Sequence, residues 1–171
     1  MDMDRPTDFA RSPAALEEFM LACVCVAGKN AHVQAARLDR LLRGDPRYVD
    51  HTPFDAVRSM LADRALRENL VRVGMGKYAL LMASFRALVG PGGPDPRTAP
   101  IHALVRVPGF QRKTASFFVL HSRPAQAVAV LDTHVHKMLT AEGFRPPPFP
   151  PASPVAYSLW ESTVLALARR D

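Results

Sequence analysis

An all-α fold, with helices in two lobes and a cleft between them, is what this sequence predicts. Apolar residues recur at helical spacing through nearly the whole chain. Most of these runs open on a capping residue, three of them followed by proline, or close on glycine. Only 127–131, Ala-Val-Ala-Val-Leu, reads as an extended piece, and it is too short to found a sheet.

The elements follow in order. Residues 1–11 form a flexible lead-in, and 12–171 a single helical domain. Ser12-Pro13 opens a helix carrying Leu16, Phe19, Met20, Cys23 and Val24 through Ala27, stopped by Gly28. Asn30 caps a second helix, 31–43, with Val33, Ala36, Leu38, Leu41 and Leu42 on its apolar face. Thr52-Pro53 starts a short third helix, and 64–72 continues as a fourth until Gly74 and Gly76 break it. Lys77–Val89 is a fifth, and the glycine- and proline-rich 90–96 a loop. Residues 101–122 read as a short helix, a Pro108-Gly109 turn and a second helix; another begins at Thr133. The proline-dense 145–154 is extended or polyproline-like, and Ser153-Pro154 caps a last helix over 155–169. The N- and C-terminal helices lack neighbours in sequence to cover their apolar faces, so packing them together makes the second lobe.

Composition bounds the function. Hydrophobic residues at 48% and charged residues at 22% fit a globular protein, and no run is long enough to span a membrane. The polar start MDMDRPTDF is unlike a signal peptide. Cys23 and Cys25, two apart on one helix, cannot bridge locally and are too few for a four-cysteine iron–sulfur cluster. A reducing, cytoplasmic setting is expected. The net charge of +6 makes an anionic partner, nucleic acid first, a reasonable expectation.

The chemistry concentrates between Leu104 and Met138. The helix after the Pro-Gly turn offers free backbone N–H groups for a phosphate, with Arg112 and Lys113 at its start. Cations there oppose the helix dipole, so they read either as anion-binding groups or as two solvated basic residues. Lys113 could act as a nucleophile once neutral. Asp132, nineteen residues on, could stabilise positive charge on a reacting sugar or simply cap the helix from Thr133.

The string VPGFQRKTA, followed by AVAVLDTHV, resembles the helix-hairpin-helix–Gly/Pro–Asp signature of the endonuclease III superfamily of DNA glycosylases. Val107, Pro108, Gly109, Phe110, Lys113, Thr114 and Ala115 match its first part, and Leu131, Asp132, Thr133, His134 and Val135 its second. The matched strings span about 30 residues. AGKNA (27–31) and HSRPAQAVAVLDTHVHKML look most like 8-oxoguanine glycosylases, including small bacterial and phage-type members.

The resemblance implies excision of a flipped, oxidised base, with 8-oxoguanine first, from double-stranded DNA by a monomer on the nucleoid. Lys113 would form a Schiff base with the sugar and Asp132 would support the cationic intermediate, giving glycosylase and AP lyase activity. DNA contacts would come from Lys29, Asn30, Gly109, Gln111, Arg112, Thr114, His134 and His136. Phe117 and Trp160 are candidates for the base pocket, although core packing is the commoner use of both types. The hairpin would hold a monovalent cation on its carbonyls, with no other cofactor and no iron–sulfur cluster. His134 and His136, two apart on a helix, do not make a metal pair.

Two departures stand out. Gln111 replaces the hairpin's usual second glycine, where the family backbone approaches phosphate or takes positive φ, at an expected cost on the order of 1 kcal/mol. The chain also stops soon after its last helix, so pocket elements of relatives would be missing. Two alternatives remain: a non-catalytic helix-hairpin-helix module that holds DNA, and the same chemistry on an oxidised pyrimidine or an abasic site.

Overall fold

A computed structural model describes residues 4–26, 28–148, 150–151 and 153–169. Among them the chain is all-α, with nine helices and no strand: α1 Pro13–Cys25, α2 Ala31–Arg43, α3 Pro53–Ala62, α4 Leu66–Arg72, α5 Tyr78–Val89, α6 Ile101–Leu104, α7 Arg112–Ser122, α8 Thr133–Ala141 and α9 Pro154–Leu167. The caps read from sequence are formed: Ser12, Asn30, Thr52 and Ser153 each accept a backbone N–H of the first turn that follows. No described helix is long and apolar enough to cross a membrane.

Helix starts moved where the backbone turns left-handed. Arg64 has φ +58° and Lys77 φ +48°, so α4 begins at Leu66 and α5 at Tyr78, each later than the apolar pattern suggested. The expected end of α1 at Ala27 lies outside the described residues. Along α2 the buried face is Gln34, Leu38, Leu41 and Leu42, while Val33 and Ala36 point outward.

α1 organises the larger apolar cluster. Its run from Phe19 to Cys25 is buried residue by residue, because α2, α3, α5 and α7 pack around it. Phe19 stacks on Phe118 of α7, ring centroids 5.6 Å apart, and Phe110 meets Phe118 edge-on. The lead-in bonds to the end of α7. Asp8 N–H donates to His121 O at the end of α7, and Arg11 Nη1 donates to the same carbonyl at 2.7 Å. The Arg11 guanidinium also lies 4.0 Å over the Phe19 ring.

A smaller cluster gathers Ala129, Leu131 and Tyr157 with Val135, Trp160, Val164 and Leu165. The first and last helices, expected to pack together, therefore fall in different clusters. α9 closes on the link 129–131. Among the described residues that link pairs with no strand. Its polar groups are met by α9 side chains instead: Glu161 Oε1 accepts from Ala129 N–H at 3.1 Å, and Tyr157 Oη accepts from Leu131 N–H at 3.2 Å. The Tyr157 hydroxyl in turn donates to Ala129 O at 3.1 Å.

Candidate functional site: the hairpin and its groove

The turn between α6 and α7 is built by Val107-Pro108-Gly109-Phe110, closed by Phe110 N–H donating to Val107 O at 3.0 Å. Proline second and a glycine at φ +85° third is the residue pattern of a type II turn. Gly109 is required twice over. Besides its φ, a Cβ there would stand 3.2 Å from both Ser84 Oγ and Val24 Cγ1. The buried Ser84 on α5 lies 2.6 Å from Pro108 O and 2.7 Å from Leu80 O, tying the turn's tip to the core. The hairpin's proposed cation-holding carbonyls thus include two that already accept hydrogen bonds, at Val107 and Pro108.

Gln111 corrects the sequence reading. Its φ of −77° and ψ of 167° are ordinary extended backbone, so no strain attaches to the missing second glycine. The exposed Gln111 occupies the N-cap of α7 but makes no side-chain cap bond. The first amides of α7, at the helix's positive end, therefore receive no cap from the Gln111 side chain.

In front of this helix start lies a groove of about 580 Å³. Arg106, Gln111 and Lys113 stand on the hairpin side, and Pro150, Pro151 and Tyr157 on the other. Gly109 and Arg112 also line it, and Lys113 is half-buried. Thr114 is half-buried in the same helical turn but does not line the groove.

Arg112 is turned inward. Its Nη2 lies 2.6 Å from Glu161 Oε2, with the carboxylate side chain only 9% exposed, and the guanidinium sits 5.6 Å over the Tyr157 ring. The residue expected to reach DNA has its charge balanced within the protein. Burial raises the Tyr157 pKa above the usual phenol value, partly offset by the N–H of Leu131.

Asp132 is the N-cap of α8. Its Oδ1 accepts from His134 N–H at 2.9 Å and Val135 N–H at 3.0 Å, so the cap occupies one oxygen. Asp132 is half-buried and outside the groove lining, one residue beyond the Leu131 amide that Tyr157 holds. His134 is exposed and His136 half-buried on the same helix. Among the described residues no three His, Cys, Asp or Glu side chains converge as a metal site. Phe117 is half-buried, its ring 4.3 Å from His121 and 6.1 Å from Phe19; Trp160 packs in the smaller cluster, edge-on to Phe144.

Lys29 and Asn30 belong to a separate neighbourhood at the α1–α2 junction. Asn30 Oδ1 caps α2 through Val33 N–H at 3.1 Å. Lys29 Nζ donates to Met75 O in the loop before α5. Its pKa is lowered, first by burial and then by the like charges of Lys77 and Arg37, against an opposing contribution from Cys25. Gly74 and Gly76 in this loop take φ +73° and +67°, the left-handed region that favours glycine, and a Cβ at either would be in ordinary contact with Arg37 or Lys29.

No protein-family model matches this chain, and no curated protein is similar to it.

Sequence reasoning missed Tyr157, Glu161 and Ser84, as well as the Arg37 and Lys77 neighbours of Lys29. For Glu161 a signal was present. It is the one charged residue within Pro154–Leu167, and a lone carboxylate in an apolar helix needs a partner. Ser84 had no such mark.

Proposed function

We propose that the protein is a DNA repair glycosylase with AP lyase activity, excising an oxidised base, 8-oxoguanine first, from double-stranded DNA. The observation that carries the proposal is Lys113. It is a half-buried lysine in the first turn of α7, lining a groove that the Pro108-Gly109 turn also lines. Uncapped α7 amides suit a phosphate of the DNA backbone, and the Lys29–Arg37–Lys77 neighbourhood supplies further cationic surface.

The chemistry follows from the pair. Lys113 first gives up a proton; its amine then attacks C1′ of the flipped nucleotide, the C1′–N bond breaks, and the base leaves with the bonding electrons and takes up a proton. Opening of the sugar gives a protonated Schiff base between Lys113 and C1′. Removal of a C2′ proton then expels the 3′ phosphate by breaking the C3′–O bond. Asp132, with Oδ2 outside its cap bonds, offsets positive charge on the sugar and accepts or returns protons. The protein acts as a monomer in the cytoplasm, on nucleoid DNA, and the reaction itself needs no cofactor.

A second reading keeps the DNA and drops the chemistry. Oδ1 of Asp132 takes both α8 amides, which is a complete structural role for that residue, and the hairpin alone could hold a backbone. Borohydride reduction in the presence of duplexes carrying 8-oxoguanine, thymine glycol or an abasic site separates the two. A covalent adduct supports the lyase, and its ranking across the three duplexes gives the lesion. DNA binding with no adduct on any duplex leaves the non-catalytic module.

A further inference from the structure

Arg112 immediately precedes Lys113, Leu131 immediately precedes Asp132, and one turn of α9 holds both. Glu161 takes Arg112 Nη2 on Oε2 and Ala129 N–H on Oε1; Tyr157, four residues earlier, takes Leu131 N–H and donates to Ala129 O. We propose that Glu161 and Tyr157 are positioning residues that set the register between the lysine-bearing helix and the aspartate-bearing link. This rests on the reading of Lys113 and Asp132 as the reacting pair.

The chemistry of the contacts argues for registry over adhesion. If α9 needed only to be anchored, apolar side chains would do it as well, since a partly buried ion pair gains little over a hydrophobic replacement of similar shape. What the polar set adds is direction. Each of the two carboxylate oxygens has a separate partner, one on α7 and one on the link, so Glu161 fixes their separation through a rigid planar group. The Tyr157 hydroxyl uses its proton on Ala129 O and a lone pair on Leu131 N–H, which fixes the link's rotation just before Asp132. Arg112, disfavoured by the dipole at the start of α7, is held there by Glu161.

The test compares Tyr157→Phe, which removes only the hydroxyl, with Glu161→Gln, which keeps shape and removes charge. Three quantities are read: the single-turnover rate of borohydride trapping on an abasic duplex, the Kd for that duplex, and Tm. Positioning predicts that both variants remain folded, keep Kd within about twofold, and trap about 10- to 100-fold more slowly. A paired Arg112→Met, Glu161→Met variant guards against simple unfolding. It is expected to recover Tm and leave trapping slow. Trapping at the unaltered rate in the folded single variants, or full recovery of rate along with Tm in the paired variant, would overturn the positioning role and leave the lyase standing. No adduct with the unaltered protein would remove the lyase reading and the positioning role together.

Discussion

Ser84 Oγ stands 2.6 Å from the carbonyl oxygen of Pro108, so the middle of α5 holds the tip of the hairpin turn. Ser84 is fully buried, and its removal leaves that carbonyl without its side-chain donor. Ser84→Ala should lower stability by about 1–2 kcal/mol. Gly109→Ala should lower it further, because a Cβ meets Val24 and Ser84 at 3.2 Å on top of an unfavourable φ costing about 1–2 kcal/mol. Denaturant midpoints measure both. The order Gly109 worse than Ser84 is the specific expectation, and the reverse order would mean that the turn is not seated as described.

Asp132 carries two separable roles. Asparagine caps a helix about as well as aspartate, whereas alanine does not. Asp132→Asn should therefore hold Tm near the unaltered value while turnover falls, and Asp132→Ala should also cost about 1 kcal/mol of stability. Thermal melts alongside trapping rates check this. Turnover left intact in Asp132→Asn would reduce the residue to its cap.

The lead-in gives a pH dependence. Burial, then the nearby positive charge of Arg11, lowers the His121 pKa below the ordinary imidazole value of about 6.5. A histidine with a lowered folded pKa prefers the neutral form when folded. Its contribution to stability is complete above the unfolded value and is lost as pH falls through the lower folded value. Tm should drop on acidification below about 6.5, and less so in His121→Gln. Equal acid sensitivity in both proteins would place the effect on other groups.

The cysteines should be silent. Both are free and buried within α1, with the Cys25 pKa pushed up to about 12 by desolvation. A thiol reagent at pH 8 should label neither in the native protein and both after denaturation, read by mass. Fast native labelling would contradict the burial of α1.

Much of the fold was legible because caps and apolar spacing are local. Ser12, Asn30, Thr52 and Ser153 mark their helix starts through contacts within one turn. The left-handed Arg64 and Lys77 were not legible, since φ there is set by the chain's path and neither residue type announces it. The packing of α9 was also hidden. α1 and α9 are both strongly apolar in sequence, yet α1 is buried residue by residue from Phe19 to Cys25 while Val155 and Leu159 of α9 are 81% and 65% exposed. What places α9 is a long-range polar set, Tyr157 and Glu161 on the link 129–131, that periodicity does not encode. Likewise Lys113 and Asp132 could be named from the motif. The inward turn of Arg112 required Glu161, 49 residues away.

The most direct measurement concerns Lys113. The unaltered protein is reduced with borohydride on an abasic duplex, digested with a protease, and the adduct is located by mass spectrometry. The account predicts a single modified peptide bearing the sugar fragment on Lys113, and its disappearance in Lys113→Gln. An adduct on Lys29 or another amine, or one that persists in Lys113→Gln, would contradict it.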